Sequence, residues 1–164
     1  MTLTVARDLK GVIDDAKPRL GAITEGRASA KPYPDKWSLK EILGHLLDSA
    51  TNNRQRIIRM QEFSDIGVFT YDQEPWVALQ HYHSEPWAPL VEFWYLYNAH
   101  IAHMMAHVKE EALAHTCDMG YAAPATLRFV MEDYVRHLRH HLEQIFTEAD
   151  PRQREQWVMR TPEG

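Results

Sequence analysis

Two histidines four residues apart, His137 and His141, are the residues of this chain best placed to do chemistry. They stand in the run DYVRHLRHHLEQI, residues 133–145. In an α-helix such a pair lies one turn apart on the same face, so both imidazoles can reach one metal ion. At about 100° per residue, His141 lies within the apolar stripe of this helix and His137 at its edge, whereas His140 points to solvent. Histidines at a core edge can also simply hydrogen-bond to backbone carbonyls, so the pair predicts either a metal site or a polar part of the core.

A second pair with the same spacing, His103 and His107, faces the other way. The projection puts both residues off the stripe marked by Ile101 and the neighbouring methionines. We therefore predict that they face solvent and do not bind the metal. His100 lies on the flank of the same helix and receives no role.

A third imidazole has to come from another helix, and we assign it to His45. The residues SLKE at 38–41 form a capping box that starts a predicted helix running to about Gln61. His45 falls at the edge of the apolar stripe of this helix. Asp48, one turn later, is predicted to lie nearer solvent and not to bind the metal.

The remaining helices are predicted from periodicity and end signals. A first helix covers residues 4–25, with Pro18 expected to kink it or end it early, and a loop follows at 26–35. Residues 63–84 have weak periodicity, and their YDQEPWV run at 71–77 predicts a turn into a short helical piece.

The second half of the chain holds two more long helices. One begins after Ser84, taken as its capping residue, and the other after Thr126, with a loop at 111–125 between them. Asp150 then predicts a short last helix anchored by Trp157. No stretch alternates convincingly as a strand would, so residues 1–164 are predicted to form a single all-α domain: a helical bundle with short extra helices.

Composition excludes some classes of function. The net charge is −5 and no basic run offsets it, which argues against nucleic-acid binding. Cys117 is the one cysteine, so no internal disulfide can form, as in a reducing cytoplasm. No apolar segment is long enough to span a membrane. At the N-terminus, no apolar stretch follows basic residues as it would in a leader peptide. We therefore predict a cytoplasmic protein without nucleic-acid or membrane partners.

Four segments together resemble the DinB/YfiT-like superfamily. The run KWSLKEILGHLLDS at 36–49 resembles its second-helix motif, and residues 71–77 resemble its inter-helix loop. Asn98 matches a recurrent asparagine of its third helix, and YVRHLRHHLEQI at 134–145 resembles its last-helix motif. The matches occur in order and span most of the chain.

The resemblance implies an up-down-down-up four-helix bundle that forms a homodimer. It also implies one divalent metal ion per chain, held by His45, His137 and His141. Zinc and nickel are favoured as the metal, with iron and manganese as alternatives, because neutral imidazole binds all of them.

Three imidazole ligands leave coordination positions open, as in catalytic rather than structural sites. The resemblance implies two enzyme classes: transferases that use a low-molecular-weight thiol, and metal-dependent hydrolases. Either would act on a small-molecule substrate. A metal-binding stress-response or sensor protein without turnover is the alternative.

The catalytic residues are not assigned from the sequence. Asp72 and Gln73 on the long loop are expected to overhang the site or to serve only as turn residues. Cys117 is not expected to be a nucleophile, and Trp76, Trp87 and Trp94 are expected to pack in the core. The candidates for a general base are Glu143, Asp48, Asp72 and Glu74. Four arginines are candidates for binding the carboxylates of a low-molecular-weight thiol in the transferase class, although we interpret them as surface charges: Arg54, Arg56, Arg136 and Arg139.

Overall fold

Four long helices pack around one hydrophobic core in the computed structural model, which describes residues 2–150. The first and third long helices in chain order pack on each other, as do the second and fourth, and each of these pairs also contacts the other pair. This is a four-helix bundle, as predicted, while the up-down-down-up direction of the helices stays a prediction. The long helices are α1 (Thr2–Gly21), α3 (Leu39–Glu62), α5 (Trp87–Ala106) and α6 (Leu127–Ala149).

Helix α3 begins as its sequence dictates. The Ser38 hydroxyl accepts the backbone N–H of Glu41, and the Glu41 carboxylate accepts the N–H of Ser38, which completes the capping box. Thr126 caps α6 in the same position, accepting the N–H of Phe129. These two caps fix the starts of the two helices that carry the histidines.

Two helix ends differ from the prediction. Helix α1 runs through Pro18 and ends at Gly21, before the predicted end near residue 25. Pro18 lies in the last turn, so the backbone hydrogen bond that it cannot donate is lost near the end of the helix. The predicted loop at 26–35 was wrong in part, since α2 (Glu25–Ser29) lies there, capped by the Thr24 hydroxyl.

The start of α5 also differs. Ser84 was predicted to cap it, but Pro86 occupies the cap position and the Ser84 hydroxyl donates to the carbonyl of His81. Ser84 instead ends a 3-10 turn, Tyr82–Ser84, which follows the short helix α4 (Gln73–Leu79). A further 3-10 turn, Glu110–Ala114, follows α5.

The fold is mostly helical, as predicted, and a small sheet that the sequence did not predict is added to it. Strands β1 (Asp65–Val68), β2 (Thr116–Asp118) and β3 (Ala125–Thr126) lie in the order β1-β2-β3, parallel between the first two and antiparallel between the last two. Strands of two to four residues are too short to show alternation in the sequence. The sheet ties the loop after α3 to the segment before α6.

The short last helix predicted after Asp150, with Trp157, lies outside the described residues. No helix within residues 2–150 is both long enough and apolar enough to cross a membrane.

Candidate metal centre

The structure brings together the three histidines singled out in the sequence. His45 on α3 meets His137 and His141 on α6, with one ring nitrogen of each within 4.8 Å of the others. The Nε2 atoms of His45 and His137 are 3.3 Å apart. His45 is 1% exposed, and the other two are half-buried. This geometry brings three potential ligands within reach of one ion.

Neighbouring side chains orient two of the rings. His141 Nδ1 lies 3.0 Å from the Gln144 Oε1 atom, and His137 Nδ1 lies 3.4 Å from the Ser49 hydroxyl. An Nδ1–H that donates to these oxygens leaves Nε2 unprotonated, which is the usual arrangement around a bound metal. The ring of His45 is held differently: its Nδ1 is buried without a hydrogen-bond partner in the described residues, and its ring centroid lies 5.3 Å from that of Trp37.

The three imidazoles are kept neutral by their surroundings. Burial, together with the neighbouring imidazoles, lowers the pKa of His45 to about 3 and that of His137 to about 4. Burial also lowers the pKa of His141. Neutral imidazoles bind metals. Two unprotonated Nε2 atoms 3.3 Å apart repel each other unless a proton or a cation lies between them, and a divalent ion held by the three neutral imidazoles would supply that cation.

A cavity of about 570 Å³ lies beside His45 and His137. Asp72 and Gln73, at the start of α4, both line it, which agrees with the first of the two expectations for them. The other lining residues come from α3, α6 and the loops that follow β1 and β2: Ser49, Asn53, Arg56, Thr70, Tyr71, Met119, Tyr121, Asp133 and Tyr134. A volume of this size accommodates a small organic molecule.

Asp48 corrects one prediction. It is 2% exposed rather than close to solvent, and it accepts hydrogen bonds from the Tyr82 hydroxyl, at 2.8 Å, and from Gln80. Burial raises the pKa of its carboxyl. Gly44 makes this arrangement possible, because a Cβ atom there would lie 2.1 Å from the Tyr82 ring. Asp48 is therefore occupied in anchoring the 3-10 turn to α3 and does not line the cavity.

Two other carboxylates do line the cavity. Asp72 occupies the cap position of α4 but makes no capping hydrogen bond with its side chain. Asp133 was not among the sequence candidates, although its position four residues before His137 was a signal that it shares that face. It forms an ion pair with Arg136. Glu143, another candidate base, is exposed in a groove between α1 and α6 instead.

The arginines divide into two groups. Arg136 and Arg139 are exposed, as predicted, and Arg54 is half-buried. The interpretation of Arg56 as a surface charge was wrong: its side chain is 4% exposed and lines the cavity.

The rival histidines face solvent, as the helix projection predicted. His103 and His107 are exposed, with ring centroids 4.5 Å apart and His107 Nδ1 bonded to the carbonyl of His103. His100 and His140 are exposed as well. The two histidine pairs therefore have the same spacing but opposite environments. The position of each pair relative to the apolar stripe of its helix distinguishes them.

The remaining candidates belong to the packing. Cys117 is buried, and burial raises the pKa of its thiol, which agrees with its exclusion as a nucleophile. Trp87 and Trp94 are core residues, whereas Trp76 is half-buried against the Tyr71 ring. Asn98 is fully buried and accepts a hydrogen bond from the Tyr134 hydroxyl, so its role is to satisfy a polar group in the core.

Comparison with known proteins agrees with the sequence motifs. Residues 8–145 match the DinB superfamily. The fold resembles that of YfiT from Bacillus subtilis, described as a probable metal-dependent hydrolase with an unusual four-helix bundle topology: the TM-score is 0.79 at 16% identity, covering 92% of this chain and 86% of that one. At this identity the likeness establishes the fold only. No curated protein sequence matches the chain. Because the family match spans most of the chain, the protein belongs to the DinB superfamily.

Proposed function

We propose that this protein is a metal-dependent hydrolase of small molecules. The observation that carries the proposal is the convergence of His45, His137 and His141, of which His45 and His137 line a cavity of about 570 Å³. Within residues 2–150, no Cys, Asp, Glu or further His joins these three as a fourth ligand. A site that leaves coordination positions open is typical of catalytic metals, whereas structural zinc is closed by four protein ligands. The likeness to YfiT points the same way.

The ion is proposed to be zinc or nickel, with iron and manganese as alternatives, at one per chain. When bound, it would supply Lewis-acid chemistry for activating water and polarising a substrate carbonyl. Ser49 and Gln144 would hold the rings of His137 and His141 in their ligating orientation. The closeness of the ring nitrogens, all within 4.8 Å, means that little rearrangement is needed to bind an ion.

Asp72 is the proposed proton acceptor. It lines the same cavity as His45, and its carboxylate makes no capping hydrogen bond. Asp133 also lines the cavity, but its carboxylate forms an ion pair with Arg136. A carboxylate free of such partners is the better proton acceptor, provided that it reaches the reacting water.

Zinc-loaded protein assayed against a panel of esters and amides tests this proposal. We expect hydrolysis that is lost in His45→Ala together with the metal, and a lowered kcat in Asp72→Asn with unchanged metal content. His103→Ala is the matched control and should retain both metal and activity. Conjugation of an electrophile by a low-molecular-weight thiol, without hydrolysis, would favour the transferase class instead. Stoichiometric metal with no turnover on either panel would favour a sensor or stress-response role.

The homodimer and the cytoplasmic location are proposed from the family resemblance. Light scattering after size-exclusion chromatography would test the dimer. A monomer at micromolar concentration would contradict it.

A further inference from the structure

Arg56 is a buried cation in the wall of the cavity that His45 and His137 also line. It lies eleven residues after His45 on α3, and both line the cavity together with Ser49 and Asn53. These positions follow the spacing of four, four and three residues that keeps side chains on one helical face. Arg56 is 4% exposed, although arginine is almost never fully buried unless it is paired.

No carboxylate of the described residues pairs with Arg56. Its two terminal nitrogens donate to neutral oxygens, Asn53 Oδ1 at 3.2 Å and the Phe69 carbonyl at 2.6 Å, and its Nε is buried without a partner. Asp133, in the same cavity, forms its ion pair with Arg136 instead. A guanidinium has five N–H donors, so three remain unused here. A buried charge without a counter-charge is unfavourable, and an anion bound next to it would remove that penalty.

We propose that Arg56 binds the carboxylate of the substrate, whose reacting group lies at the three histidines. The substrate class is then a small organic acid with an ester or amide at some distance from its carboxylate. This inference rests on the proposed function, since it uses the metal centre as the second point of attachment. Planar guanidinium and carboxylate groups pair through two parallel hydrogen bonds, which suits a specificity contact.

The distance between the Arg56 guanidinium and the three histidines sets the length of the substrate. Eleven residues of helix separate the two Cα atoms by roughly 16 Å along the axis. Both side chains lean toward the N-terminus of α3, and the span shortens because the longer Arg56 side chain reaches further in that direction than the His45 ring does. An extended acid of about the length of suberate suits the gap better than acetate does.

The competing explanation is that Arg56 only fastens the loop at Phe69 to α3. In that case, substitution would lower stability without changing which ligands bind. The two roles can be distinguished by comparing two ligands that differ only in whether the end far from the metal carries a carboxylate.

Two hydroxamates provide that comparison, since the hydroxamate group chelates metals. Suberic acid monohydroxamate carries a carboxylate at its far end, and its methyl ester has the same chain without the charge. Calorimetric titration of the zinc-loaded protein gives the Kd of each probe. In the wild type we expect the acid to bind about 10-fold or more tightly than the ester, as hydrogen bonds to a charged group do. In Arg56→Gln the ratio should fall to about 1, and in Arg56→Lys it should be intermediate.

Arg59→Gln is the matched control, because Arg59 is an exposed arginine of the same helix that also contacts the Phe69 ring. It should keep the wild-type ratio. If Arg56→Gln does not fold, Arg56→Lys decides the question, since lysine keeps the charge but cannot form the paired hydrogen bonds.

The outcomes separate this inference from the proposed function. Zinc uptake by the wild type, with equal binding of the two probes or with neither bound, would overturn the carboxylate site alone. Absence of zinc uptake would overturn the metal centre and this inference with it.

Discussion

Substitution of His137 by alanine should abolish most of the stabilisation that a metal gives this protein. The Nε2 of His137 lies 3.3 Å from that of His45, so this substitution removes one of the three candidate ligands. At a zinc concentration 100 times the Kd, binding stabilises the folded protein by ~2.7 kcal/mol. For a chain of this length, ~1 kcal/mol shifts Tm by roughly 2–4 °C, so the wild type should gain roughly 5–11 °C.

The expected loss follows from the same relation. Removing a residue that merely orients a ligand weakens metal binding by about 10–100-fold. Removing the ligand itself should weaken binding by about 100-fold or more. At the same zinc concentration, the stabilisation of His137→Ala then falls to about 0.4 kcal/mol or less. Its Tm should therefore rise by less than about 2 °C on addition of zinc.

The assay is thermal unfolding of untagged protein with and without zinc, with the metal content measured separately. The matched control is His103→Ala, because His103 and His107 have the same spacing on α5 but are exposed. It should keep the full shift. An equal loss in both variants, or an undiminished shift in His137→Ala, would refute the assignment of the site.

Three further predictions concern the surroundings of the site. The pKa values of about 3 for His45 and about 4 for His137 lie below the ordinary value near 6.5. Below about pH 6.5 these two imidazoles bind protons in the unfolded chain but stay neutral in the folded protein until the pH nears 4. The metal-free protein should therefore lose stability as the pH falls from about 6.5 toward 4; NMR titration of the two imidazoles near 6.5 would contradict this. Gly44→Ala should lower the free energy of unfolding by about 1–3 kcal/mol, because its Cβ would lie 2.1 Å from the Tyr82 ring; an unchanged urea midpoint would show that the ring moves freely. Gln144→Ala should weaken zinc binding by about 10–100-fold in calorimetry, and an unchanged Kd would mean that His141 is oriented without it.

The sequence predicted the histidine cluster because helix geometry is local. The capping box at Ser38 fixed the start of α3, and the apolar stripes of two helices gave the directions of His45, His137 and His141. These steps gave candidate ligands on two separate helices, and the resemblance to the DinB/YfiT-like superfamily implied that the three histidines bind one ion. The exposed pair at His103 was excluded by the same reasoning.

What the sequence did not predict depends on contacts between distant segments. Arg56 is buried because the carbonyl of Phe69 lies against it, and a loop carbonyl leaves no trace in a helical pattern. Asp48 is buried because Gly44 admits the Tyr82 ring, which places a hydroxyl beside the carboxylate. Strand β1 is paired with β2 by residues distant in the chain, such as Asp65 and Thr116.

The contact between Trp37 and His45 has a practical consequence. With ring centroids 5.3 Å apart, the indole lies close enough for a paramagnetic ion on that imidazole, such as copper or nickel, to quench its light emission. Trp87 and Trp94 are buried in the core, and together with Trp76 they would also contribute emission. The chain therefore carries its own optical reporter of occupancy, and loading of the centre can be followed by intrinsic fluorescence without an attached dye.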